Sequence, residues 1–292
     1  MFSAHPSIAA LAIASHLCGG APGPVDPQPP LHRGSAPTAL LATVTAPSRP
    51  TLKELVEQEG ASYREFGPSA ARITIIHLRN FHLTGTQSPL APSAEKFWGV
   101  QREALELIGK SLARYQIAGA YPEGVTDRSY ELYRERFAEV VQNTRGNEEQ
   151  PLKQLLADAG DALQAHGAIA GAIVRWNLPL KCAESFELHQ RASEALRIGA
   201  AKADEIVLTA REDELIRRIA SDFPRGSATV LTNFGAEHRL EDNVARWNTA
   251  HAESQVRVIE LTPAAVLRIR GESNAIEPSA KIPASVEPSS AK

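Results

Sequence analysis

Cysteine, methionine and aromatic side chains are all scarce in this chain, and neither sign of charge dominates it. Only two cysteines, Cys18 and Cys182, occur in 292 residues. Two thiols so far apart make neither a disulfide framework nor a CxxC metal pattern, and Cys182 reads as a lone core thiol. Lys and Arg number 31 against 34 Asp and Glu, a net charge of −3. That balance, with no basic cluster interleaved with aromatics, argues against a nucleic-acid partner. No apolar run reaches the ~20 residues needed to span a bilayer, so no transmembrane helix is expected. The G-x-S-x-G elbow, H-E-x-x-H and the P-loop are missing too, and no internal repeat is visible. Any chemistry must therefore come from side chains that the fold gathers. Oligomeric state has no signature.

The ends of the chain differ from its middle. Residues 7–19 form a short apolar stretch followed by small residues, as an export leader would. No Lys or Arg precedes it, and Leu17 stands where a lipidated Cys18 would need a small neighbour. The expectation is an apolar segment over 1–20 that directs the chain to the periplasm or envelope if it acts as a leader, with a cytoplasmic location otherwise. Residues 21–50 carry Pro22, Pro24, Pro27, Pro29, Pro30, Pro37, Pro47 and Pro50 with almost no charge. Such a stretch builds no packed core and reads as a linker. Residues 271–292, rich in Ser, Ala and Pro, read as a disordered tail. One folded domain remains, over residues 51–270.

Inside that domain strand and helix patterns alternate. Arg72 to Leu78 is a β-branched run, and Ile117 to Tyr121 is a second short apolar segment. Residues 95–116 place Phe97, Val100, Ala104, Leu105, Ile108, Leu112 and Tyr115 at helical spacing. Asp127 reads as the N-cap of a helix with Tyr130, Tyr133, Phe137, Val140 and Val141 on its apolar face. Residues 151–165 suggest another helix, and Gly167 to Val174 is ambiguous in type. A long helical region runs from Ser185 to Ser221, with a break near Gly199. Strands over 229–232 and 255–261 flank a helix over 239–250. The alternation predicts an α/β fold, a mostly parallel central sheet flanked by helices.

Ligands of such sheets bind beyond the carboxyl ends of the strands. There the sequence places His82, Glu123 and His238, the last in Gly235-Ala-Glu-His238. Two imidazoles and a carboxylate suit a divalent metal. They serve equally as a metal-free acid–base site in which a carboxylate orients an imidazole. Gly235 would turn the chain off its strand, through positive φ, and let a substrate or ion approach the backbone. His77, inside its strand, reads as a hydrogen-bonded core histidine. In the segment from Arg211 to Arg218, Glu214, Arg217 and Arg218 read as a solvated face with i,i+4 pairs. Arg211 follows Ile206-Val207-Leu208 and reads as facing the sheet edge, where a guanidinium would stabilise an oxyanion.

Together these residues resemble the Tiki/TraB/GumN and ChaN-like superfamily, which includes erythromycin-esterase-like proteins. Gly235-Ala-Glu-His238 resembles the second Gly-x-x-His motif of that group. Pro122-Glu123-Gly124 resembles its early Glu-Gly segment, and Arg211 its helical arginine. Ala183-Glu184 resembles an acidic segment of ChaN-like members, which makes Glu184 a candidate cofactor contact beside Gly235. The first motif departs, with Arg79 in Arg79-Asn-Phe-His82 where the group has Gly. A cation there would crowd the site's mouth or oppose a metal. The resemblance covers roughly residues 70–262 and implies the same α/β fold. It further implies a hydrolase, with or without a divalent metal, acting on a small molecule or peptide. The alternatives are a haem- or iron-binding envelope protein, with Tyr121, His77 or His82 as ligands, and an inactive member with Arg79 as the lesion.

Overall fold

The computed structural model describes residues 49–81, 94–147, 149–156, 161–198, 201–235 and 237–271. The leader, the linker up to residue 48, the tail from residue 272, and His82 lie outside these residues. Ten helices and five strands are described, in the order α1 (Leu52–Glu57), β1 (Ser62–Phe66), β2 (Ile73–Leu78), α2 (Ala94–Leu112), β3 (Ile117–Tyr121), α3 (Tyr130–Asn143), α4 (Leu152–Leu155), α5 (Asp161–Gln164), α6 (Gly167–Trp176), α7 (Phe186–Ile198), α8 (Ala201–Asp222), β4 (Ala228–Thr232), α9 (Glu241–Ala250), β5 (Val256–Thr262) and α10 (Ala264–Arg270). The strands form one sheet in the order β1-β5-β2-β4-β3. All neighbours are parallel except β1, which runs antiparallel on the edge beside β5. Among the described residues no helix is long and apolar enough to cross a membrane.

Burial on both faces explains why the central strands read as nearly unbroken apolar runs. Ile76, Leu78, Leu231, Ile259 and Leu261 face one core, which takes in Leu105 and Ile108 of α2 and Ile169 and Ile173 of α6. Ile73, Ile75, Val230, Val256 and Val258 face the other, with Leu215, Ile216 and Ile219 of α8 and Val244 of α9. His77 is the cross-strand partner of Glu260, and by the two-residue alternation both point to the α8 and α9 side.

Several elements depart from the sequence expectation for identifiable reasons. β1 (SYREF) shows no apolar alternation, since an edge strand exposes Arg64 and Glu65. Asp127 does not cap α3, whose N-cap Ser129 makes no side-chain cap bond. Its Oδ1 instead accepts from the Phe186 N–H at 3.0 Å, so it caps α7. The helix expected over 151–165 is described as α4 and α5, with 157–160 outside the described residues. The Gly167–Val174 stretch is helical because its small residues let α6 lie against α2, with all of them buried.

Two polar clamps fix the carboxyl ends of the strands. Beyond β2, Asn80 and Gln101 exchange hydrogen bonds of 2.7 and 3.0 Å. Gln101 also donates to Phe81 O and accepts from the Ala168 N–H, tying the β2 exit to the start of α6. Between β3 and β4, Thr232 Oγ1 donates to Tyr121 O at 2.8 Å. Asn233 Oδ1 then accepts the Glu123 N–H at 3.2 Å, while its Nδ2 donates to His166 O.

Gly167 makes the first clamp sensitive to one methyl group. Its φ is 52°, and an added Cβ would lie 2.1 Å from Gln101 Oε1. Gly167→Ala is expected to lower the unfolding free energy by about 1–3 kcal/mol through left-handed strain and loss of the Gln101 bonds. Urea denaturation of this variant beside Gly146→Ala, where φ is 85° but space is open, separates the clash from the backbone cost.

Candidate active site at the strand ends

α8 supplies the centre of the site. Leu215, Ile216 and Ile219 mark its buried stripe, and one turn earlier the same stripe carries Arg211 and Glu212. Arg211 is only 4% exposed. Its guanidinium grips Glu184 at both oxygens, Nε to Oε2 at 2.5 Å and Nη2 to Oε1 at 2.9 Å. Nη2 also donates to Glu123 Oε1 at 2.7 Å, and the group lies over the Phe234 ring at 5.5 Å. Burial opposes the charge, but the two carboxylates outweigh it and hold the guanidinium above its ordinary range.

Glu184 is wholly buried. Its Oε1 also accepts the Gly124 N–H at 2.8 Å and lies 3.1 Å from His189 Nδ1. Burial would raise its pKa, yet the bonds from His189 and Arg211 bring it below the usual carboxylate range. Gly124 reaches this position with φ of 85°, a conformation open to glycine at no steric cost. The resemblance makes Glu184 a candidate cofactor contact; in the structure its carboxylate is engaged by Arg211, Gly124 and His189.

On the far side of Glu123 stands His238, 3% exposed. Its Nδ1 lies 2.8 Å from Glu212 Oε1 and its Nε2 lies 3.5 Å from Glu123 Oε1. The Arg239 N–H donates to the same Glu212 oxygen at 3.1 Å, and Phe234 packs edge-on against the imidazole. Burial pulls the pKa down, and the Arg211 charge adds to that. Glu123 and Glu212 overcome both and push it up to about 9, so His238 is an imidazolium at neutral pH. Gly235 contributes a backbone N–H, which donates to Glu123 Oε2 at 2.7 Å. Glu184, Arg211, Glu123, His238 and Glu212 thus form one line of alternating charge. Of the five, Glu123 has the most exposed side chain, at 17%.

The structure brings Glu123, Arg211, Gly235 and His238 together, while His82 lies outside the described residues. Among the described residues no group of three or more His, Cys, Asp or Glu side chains is arranged to hold a metal. Glu123 is already engaged by Arg211 and Gly235, and His238 by Glu212, so these residues do not by themselves make a metal cradle. Of the other haem candidates, Tyr121 is buried and donates to Asp222 Oδ2 at 2.7 Å. His77 is buried with Nε2 3.0 Å from Phe234 O. Arg79 turns to Glu260, 3.6 Å away. Cys182 is half-buried, and desolvation pushes its thiol up, as befits an unreactive cysteine. Glu214 pairs with Arg217 and Arg218 at 2.7 and 2.6 Å, as the helical spacing suggests.

Sequence reasoning missed Glu212, Asn233 and His189. Glu212 carried a usable signal, since it precedes Ile216 by one turn on the apolar stripe. Asn233 and His189 carried none, because their roles depend on loop geometry. No protein-family model, curated protein or solved structure matches this chain.

Two measurements probe the line of charges. Arg211→Met strands two buried carboxylates and is expected to cost about 3–5 kcal/mol in urea unfolding. Arg217→Met, at an exposed pair, should cost less than about 1 kcal/mol. For His238 the folded state binds the proton more tightly than the unfolded one, whose value is 6.5. Its stabilisation is therefore complete below pH 6.5 and lost as pH rises through about 9. Unfolding free energy should fall across that window in the parent protein, and the fall should flatten in His238→Gln.

Proposed function

We propose that the protein is a hydrolase of small-molecule or peptide esters or amides, with Glu123 and His238 as its acid–base pair. The observation that carries this reading is the imidazole of His238 held between Glu212 at 2.8 Å and Glu123 at 3.5 Å. It lies at the carboxyl edge of a parallel sheet, where α/β folds bind ligands. Glu212 fixes the ring through Nδ1 and leaves the Nε2 proton facing Glu123, the arrangement of a general acid with its orienting group.

In the proposed reaction the Glu123 carboxylate takes a proton from water as the water oxygen bonds to the acyl carbon. The tetrahedral intermediate collapses with cleavage of the bond to the leaving group, which takes the Nε2 proton of His238. Carboxylic acid and alcohol or amine leave, and the proton on Glu123 returns to His238, 3.5 Å away. Arg211 is a positioning residue in this scheme. At 4% exposure it holds Glu123 rather than meeting an oxyanion. The scheme needs no metal, and a metal-dependent variant would need donors beyond Glu123 and His238.

Chromogenic esters and fluorogenic peptides, assayed with and without EDTA, test the scheme. Glu123→Gln and His238→Gln should each lower kcat by about 10²–10⁴-fold, and Glu212→Gln should shift the alkaline limb of the pH profile. Hydrolysis that survives both substitutions overturns the assignment of Glu123 and His238. Activity abolished by EDTA and restored by a divalent ion overturns the metal-free scheme.

A further inference from the structure

A cavity of about 270 Å³ opens on the α9 side of the sheet edge. Four arginines line it, Arg64, Arg79, Arg239 and Arg270, against two carboxylates, Glu241 and Glu260. We propose that this cavity binds a small oxyanion, the phosphate or carboxylate group of a ligand, independently of hydrolysis at Glu123 and His238.

The wall is built from beneath. Glu260 is buried and lies 3.3 Å from Arg64 and 3.6 Å from Arg79. Arg64 also donates to Glu241 Oε2 at 2.9 Å. Glu237 pairs with Arg270 at 3.4 Å, so three carboxylates orient these guanidiniums. A guanidinium offers five N–H donors in a planar fork suited to carboxylate and phosphate oxygens. Arg239 stands over the same cavity, exposed, and its guanidinium makes no hydrogen bond or ion pair among the described residues. An oxyanion in the cavity would accept from the Arg239 guanidinium beside the three arginines already held by carboxylates, and bonds between ionised partners are the stronger kind. The volume of about 270 Å³ falls just below the usual range for small-molecule sites, which limits the occupant to a compact ligand. Arg79, the residue that departs from the Gly-x-x-His pattern, becomes part of this wall.

Titration calorimetry of the full chain with inorganic phosphate and with malonate, at ionic strength held constant with sodium chloride, tests the proposal. Saturable binding of at least one anion is expected, and the tighter of the two names the ligand class. Arg239→Gln, at an exposed side chain that leaves the fold intact, should weaken binding by about tenfold or more. His238→Gln should leave the anion affinity within about twofold, because that residue does not line the cavity. No saturable binding, or binding unchanged by Arg239→Gln, overturns the proposal. Anion affinity that collapses in His238→Gln while surviving Arg239→Gln also overturns it, by placing the anion in the hydrolytic site.

Discussion

Arg211 is buried with a charge it cannot shed, and the surrounding structure answers to that. A guanidinium taken out of water needs partners for both charge and N–H groups, or the desolvation cost goes unmet. Glu184 supplies the bidentate half and Glu123 the third bond. Each carboxylate in turn needs its own donors. Those come from the N–H groups of Gly124 and Gly235 and from His189 and His238. The positive φ of Gly124 and the clamp of Asn233 on the Glu123 N–H are consequences of placing two acids around one arginine.

The parallel sheet makes that convergence attainable. Strands β2, β4 and β3 are neighbours running the same way, so their exits share one edge. Glu123 leaves β3, Gly235 and His238 leave β4, and the bridge between Asn80 and Gly235 joins the β2 exit to them. α8 crosses this edge with its buried stripe, carrying Arg211 and Glu212 inward on the same surface that packs Leu215 and Ile219. One helix face is thus apolar along one part and ionic along the next. A helix tolerates that when every charge on it finds a partner.

Legibility followed period and burial. Strands buried on both faces announced themselves, β2 through a β-branched run and β5 through alternation, and α2 through helical spacing. The edge strand β1 did not, because Arg64 and Glu65 interrupt it and its pairing to β5 is long-range. In the site, Glu123, Arg211 and His238 stood out as polar residues at strand ends or beside apolar runs. The partner of His238 did not. Glu212 looked like one more charge in an acidic and basic stretch until the buried positions of α8 were known. Asp127 shows the opposite error, since its spacing suited α3 while its carboxylate serves α7, about 60 residues further on. Local rules identify a capping residue, and tertiary structure chooses the helix that it caps.

The order of charges along the network has a chemical consequence. Three carboxylates, Glu184, Glu123 and Glu212, alternate with Arg211 and His238, so the five groups carry one net negative charge. Removing the His238 proton to bulk solvent would leave two net negative charges on the five groups, and the neighbouring carboxylates oppose it. In the proposed hydrolysis the loss is matched. As His238 gives its proton to the leaving group, Glu123 gains one from water, and the net charge of the five groups is the same before and after. Arg211 and Glu184 need not move, since their own pairing is unaltered. A buried ionic line of this kind resists simple titration yet accommodates an internal exchange of protons, which is the condition that acid–base catalysis sets on a paired acid and base.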